Sequence, residues 1–236
     1  MLFRSEDRAG LVSLGSQYYE PVWIFYRGEA ELTRLSQLAG KRVSIGVEGG
    51  GTRRIANQLL DASGIGIDSA DLLAMPGSEA ATALREGRID AMFIVGPPET
   101  ETILGLMRDR AVKLMSLDQA EAFVRRLPFL NHIVLPGGAI DLQRNIPERD
   151  VHLLAPTATL IARGDLHPAL VYLMLKAAKQ VHGVPGLLNP KKALFPSDRD
   201  IDFPIAEEAE HFYRSGPPLL QRYLPFWMAE IGRAHV

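Results

Sequence analysis

Residues 41–63 read KRVSIGVEGGGTRRIANQLLDAS, and their pattern changes period halfway along. Val43, Ile45 and Val47 alternate as a strand does, and Gly49, Gly50 and Gly51 then interrupt the run. From Thr52 the apolar residues recur at Ile55, Ala56, Leu59 and Leu60, which is helical spacing, and Gly64 stands where a helix would stop. A strand that turns through glycines into a helix leaves backbone N–H groups aimed into the turn. Those groups and the positive end of the helix favour an anion by ~0.3–1 kcal/mol, rising to ~2 when partly buried. The stretch predicts an α/β fold with a seat for a carboxylate or phosphate. The plainer alternative is a tight turn whose glycines serve packing alone.

The same alternation continues outward. Residues 21–26 (PVWIFY) predict a strand, 31–39 a short helix, 79–86 a helix capped by Ser78, and 88–95 (RIDAMFIV) a strand covered on both faces. Gly96-Pro97-Pro98 ends that strand, and residues 99–108 predict the next helix. Further on come a strand at 112–116, a helix from a cap at Asp118 to about 126, and extended segments at 129–134 and 151–162. Residues 167–182 form the strongest helical pattern, with Leu170, Leu173, Met174, Ala177 and Val181 on one face. Helical segments at 207–214 and 219–228 follow. Crossover helices between strands imply open, mostly parallel sheets, whose ligands sit at the carboxyl ends of strands. The glycine turn and Gly96-Pro97 both lie at such ends.

Composition narrows the function. The 236 residues carry 26 Lys+Arg against 28 Asp+Glu, a net charge of -2 with no basic stripe, which argues against a nucleic-acid partner. There is no cysteine, so disulfides, thiolate metal sites and a cysteine nucleophile are excluded. The turn fails the dinucleotide fingerprint, which needs glycine where Glu48 stands, and it lacks the lysine of a phosphate loop between Gly51 and Thr52. No paired metal-ligand spacing exists among the histidines. Asp198, Asp200 and Asp202 imitate a calcium loop, but Phe203 replaces its glycine and Ala209 its glutamate. No nucleophile elbow or assembled triad is present, so the chain reads as a non-enzyme without metal or cofactor. No run approaches the ~20 apolar residues of a membrane span.

Residues 14–60 (LGSQYYEPVWIFYRGEAELTRLSQLAGKRVSIGVEGGGTRRIANQLL) resemble the solute-binding receptors of TRAP transporters, specifically the TAXI branch. The likeness rests on Tyr18-Tyr19-Glu20-Pro21, on the stretch from Leu35 to Gly46 and on the Gly49–Thr52 turn. It continues in residues 79–99 (EAATALREGRIDAMFIVGPPE) and reaches from about 11 to 228. The resemblance implies the type II periplasmic-binding-protein fold, two α/β lobes closing on a small ligand, with crossings near 21–26 and 156–162. On that template residues 1–26 and 156–230 make a partial first lobe and residues 27–155 the second. The family's secretion signal and the first half of its first lobe have no counterpart here, so a fragment lacking the N-terminal part is expected.

By the same resemblance the chain is an extracytoplasmic receptor that captures a small organic anion, a dicarboxylate or acidic amino acid, for a transporter's membrane subunits. Tyr18, Tyr19, Glu20, Gly50, Gly51, Thr52, Arg53, Gly96 and Pro97 are the expected ligand contacts. A ligand-sensing effector domain of a cytoplasmic regulator is the alternative. The segment 217–229 (PPLLQRYLPFWMA) resembles one that leads into a C-terminal membrane anchor, with Tyr223, Phe226 and Trp227 suited to an interface. Residues 231–236 (IGRAHV) match the translation of a sequencing-library adapter and are set apart as a non-native tail.

Overall fold

A computed structural model describes residues 10–66, 69–188, 195–199 and 203–216. In chain order it contains β1 (Leu11–Tyr19), β2 (Val22–Tyr26), a 3-10 turn (Leu35–Leu38), β3 (Arg42–Ser44), α1 (Gly51–Ala62), β4 (Asp71–Leu73), α2 (Gly77–Arg85) and β5 (Ala91–Val95). There follow α3 (Glu101–Met107), β6 (Lys113–Leu114), α4 (Ala120–Arg126), β7 (Leu130–Leu135), β8 (Val151–Arg163), α5 (Pro168–His182) and α6 (Glu207–Ser215). The chain divides into two compact units, one of residues 1–18 and 157–236 and the other of residues 19–156. The passages between them fall at Tyr18/Tyr19 and Pro156/Thr157, so the strand at 22–26 sits inside the second unit rather than at a crossing.

In the unit of residues 19–156 the strands run β7–β8–β2–β5–β3–β4, with β6 also on β2. β3 pairs in parallel with both β4 and β5, and these are the strands that helices cross over to join. β2 is antiparallel to β5, from Val22 opposite Val95 to Tyr26 opposite Ala91. Residues 31–39, where a helix is predicted, hold only the 3-10 turn: Gln37 Oε1 caps its start by accepting from the amides of Thr33 and Arg34, and the chain leaves it through Gly40 (φ +71).

The sheet is covered on both faces, as the apolar run of β5 requires. Ala91 and Phe93 join Val43, Ile45, Ile24 and the α1 residues Ala56, Leu59 and Leu60 in one buried cluster. Met92 and Ile94 alternate to the other face, where α2 approaches closely: a Cβ on Gly77 would stand 3.1 Å from Ile94 Cδ1. The small Ala80, Ala81 and Ala83 of α2 are buried and permit that approach.

The other unit pairs β1 with β8 and packs α5 and α6 around Leu14, Ala162, Val171, Leu175, Ala209 and Phe212. The buried side of α5 is Ala169, Val171, Tyr172, Leu175 and Ala178, not the predicted face. Leu170, Leu173 and Val181 are exposed, Val181 by 64%. Two alanines let the helix sit close to its neighbours, so the closer-packing face wins over the bulkier one. The readings placed on residues 200, 202 and 217–236, including the tail, the interfacial aromatics and the helix at 219–228, lie outside the described residues. Among the described residues no helix is long and apolar enough to cross a membrane.

Candidate functional site

The parallel pairing of β3 with β4 and β5 brings the carboxyl ends of all three strands to one edge of the unit of residues 19–156. Because β2 is antiparallel to β5, its first residues arrive at that same edge: the amide of Gly96 donates to the carbonyl of Pro21 at 3.2 Å. Along the edge lie, in order, Glu20-Pro21, Gly96-Pro97, the turn of residues 45–50 and the chain entering α2. Neighbouring strands stand ~4.8 Å apart, so Glu20 and the glycine turn are separated by about two strand spacings.

The glycine turn is shaped by particular residues. Gly46 (φ +88) lies against the start of α1, where a Cβ would meet Thr52 Cβ at 3.0 Å and the Arg53 amide nitrogen at 3.2 Å. Gly49 (φ +73) turns the chain, and Gly50 is the N-cap in an extended conformation. Having no side chain, Gly50 caps nothing. The first helical bond is from the Arg54 amide to the Gly50 carbonyl, at 3.3 Å. The amides of Gly51, Thr52 and Arg53 therefore have no acceptor among the described residues. Gly51 is exposed, with open space around the position of a Cβ, and Thr52 and Arg53 are half-buried.

Arg53 adds a second donor set. Its Nη1 is buried without a hydrogen-bond partner, while Nη2 lies 4.0 Å from Oε1 of Glu48, a side chain that is 86% exposed. Ser44 Oγ, at the end of β3, is also buried without a partner among the described residues. The α2 start repeats the theme: Pro76 is its N-cap and no side chain caps it. The helix begins at Gly77, so Ser78, the predicted cap, is inside its first turn and exposed. Sequence reasoning thus missed Gly46, Ser44 and the residues 74–77 leading into α2. Gly46 was legible as a glycine ahead of the triplet, but its left-handed φ and its close approach to Thr52 were not.

Gly96 is held in place by Trp23, whose Nε1 donates to the Gly96 carbonyl at 2.8 Å, and Pro97 is exposed with its carbonyl accepting from Thr100 Oγ1 at 2.8 Å. Glu20 is half-buried, its amide donating to the Pro156 carbonyl at 2.9 Å, and burial raises its carboxyl above the ordinary glutamate range. Tyr19 is half-buried beside it in sequence. Of the nine expected contacts, the fold brings Glu20, Gly50, Gly51, Thr52, Arg53, Gly96 and Pro97 to this edge. Tyr18 belongs to the other unit, where its ring stacks on His182 at 5.2 Å between centroids. Among the described residues no three His, Asp or Glu side chains converge to hold a metal ion.

Residues 1–213 match the model described as the NMT1-like family. Among solved structures, an ancestral arginine-binding protein bound to arginine is 15% identical, with a TM-score of 0.45 over 77% of this chain and 62% of that one. A putative sulfonate ABC transporter's periplasmic sulfonate-binding protein from Methylobacillus flagellatus is 12% identical, with a TM-score of 0.46 over 95% of this chain and 51% of that one. The periplasmic aliphatic sulphonate binding protein of Escherichia coli is 15% identical, with a TM-score of 0.41 over 80% and 74%. The chain thus spans about three fifths of the length of the arginine-binding structure and half that of the Methylobacillus one.

Proposed function

The chain belongs to the NMT1-like family, and we propose that it is a non-enzymatic, extracytoplasmic solute-binding receptor. Its cargo is a small organic anion, a dicarboxylate or acidic amino acid, delivered to the membrane subunits of a TRAP-type transporter of the TAXI branch. The transporter assignment rests on the sequence motifs around Tyr18–Pro21, Leu35–Gly46 and Gly49–Thr52.

The observation that supports the ligand class is local. Three amides of α1 without acceptors among the described residues, and a buried guanidinium nitrogen of Arg53 likewise without a partner, stand at one sheet edge. Each is a donor that a carboxylate would satisfy, and a charged acceptor makes such bonds worth ~1.5–3 kcal/mol rather than ~1. Glu20, with its raised carboxyl, sits where it could accept from an amino group of the ligand. Titration calorimetry with dicarboxylates, acidic amino acids and aliphatic sulfonates tests the reading. Thr52→Val keeps shape but removes a hydroxyl, and should weaken the best anion by about 0.5–1.5 kcal/mol, roughly two- to tenfold. Binding that is indifferent to both Thr52→Val and Arg53→Gln would place the anion elsewhere.

A further inference from the structure

The unit of residues 1–18 and 157–236 carries a recess of its own, about 420 Å³, between the last turns of α5, α6 and residues 195–199. That volume is within the ~300–1,000 Å³ usual for small-molecule sites. Its walls are anchored to β1. Ser16 and Ser197 exchange backbone bonds at 2.7 and 3.0 Å, and Ser16 Oγ donates to the Arg199 carbonyl. Tyr213 donates its hydroxyl to the Leu14 carbonyl at 2.7 Å, over Gly15, where any Cβ would lie 2.3 Å from that hydroxyl.

The lining combines three charges with an aromatic floor. Lys179 Nζ stands 5.9 Å from the centre of the Phe212 ring, and Phe195 and Phe212 are almost wholly buried beneath the rim. Neither Lys179 nor Arg199 has a carboxylate partner among the described residues, although Asp198 lines the same recess. Asp198 and Tyr213 line it together, and burial first, then the charge of Asp198, push the Tyr213 hydroxyl up to about 12. Two cations and one anion without ion-pair partners among the described residues, set around an apolar floor, are complementary to a molecule that carries the opposite charges on an apolar body.

We propose that this recess binds a small apolar zwitterion of the α-amino-acid type. Its carboxylate pairs with Arg199 and Lys179, its ammonium with Asp198, and its side chain packs on Phe195 and Phe212. This inference stands independently of the anion site at the glycine turn. The test is calorimetric titration of the full chain with L-phenylalanine, 3-phenylpropionate and phenethylamine, which share the ring and differ in charge. L-phenylalanine should bind at least tenfold more tightly than either singly charged analogue. Arg199→Gln should remove most of that advantage over phenethylamine, and Asp198→Asn most of that over 3-phenylpropionate. All three residues are exposed, so the variants should fold, which circular dichroism checks. Three results would overturn the proposal: no saturable binding of L-phenylalanine with a Kd of about 1 mM or tighter (about −4 kcal/mol), equal binding of the three compounds, or binding abolished by Thr52→Val but not by Arg199→Gln.

Discussion

Replacing Gly46 by alanine should destabilise the unit of residues 19–156 by about 2–5 kcal/mol, and the figure has two sources. At φ +88 an L-residue sits in the left-handed region, at a cost of about 1–2 kcal/mol. The new methyl would also stand 3.0 Å from Thr52 Cβ and 3.2 Å from the Arg53 amide nitrogen. One of those atoms is backbone and the other a branched Cβ, so the first turn of α1 has to move, an overpacking cost of about 1–3 kcal/mol. Gly51→Ala is the control. Gly51 is helical with nothing within 4 Å of a Cβ, so alanine there should stabilise by about 0.4–1 kcal/mol through lower unfolded-chain entropy. Urea unfolding followed by tryptophan fluorescence in a Trp227→Phe background, which leaves only Trp23, buried in this unit, measures both. If Gly46→Ala unfolds within 0.5 kcal/mol (about the scatter of surface substitutions) of the parent, the turn does not have this geometry.

Two further outcomes follow from burial. Glu20 has a raised carboxyl, so the folded state binds its proton more readily than the unfolded chain. Its contribution is therefore fully present below the unfolded value of about 4.3 and is lost as pH rises through the folded one. Glu20→Gln should match the parent's urea midpoint near the acid end and exceed it at neutral pH; a difference that does not change with pH would contradict this. On α5, Leu175→Ala should cost about 2–5 kcal/mol, because Leu175 is fully buried, whereas Leu173→Ala should stay within about 0.5 kcal/mol. Equal losses in thermal unfolding would restore the face that hydropathy alone selects.

The strand–turn–helix of residues 41–63 was legible because two periods meet at a run of glycines, although the strand ends at Ser44 and Val47, read as its last inward residue, is exposed in the turn. The strand at 91–95 was legible for a related reason, since an unbroken apolar run must be covered on both faces. The direction of β2 was not legible. It is set by the pairing of Val22–Tyr26 against Val95–Ala91, a contact between distant segments that no local periodicity records. The α5 face was misread because hydropathy weights Leu170 and Leu173 above Ala169 and Ala178, while packing rewards the small residues. At the site, the glycine turn and Gly96-Pro97 could be placed at strand ends from sequence. That Glu20 shares their edge follows only from the antiparallel register of β2 on β5.

The central claim is that the α1 N-terminus and Arg53 receive an organic anion, and amide chemical shifts of the isotopically labelled full chain test it most directly. During titration with a panel of dicarboxylates and acidic amino acids, the amides of Gly51, Thr52 and Arg53 should move together and saturate, because they lack acceptors among the described residues. An anion that saturates elsewhere while those three amides stay unmoved, or no saturable binding across the panel, would contradict the account.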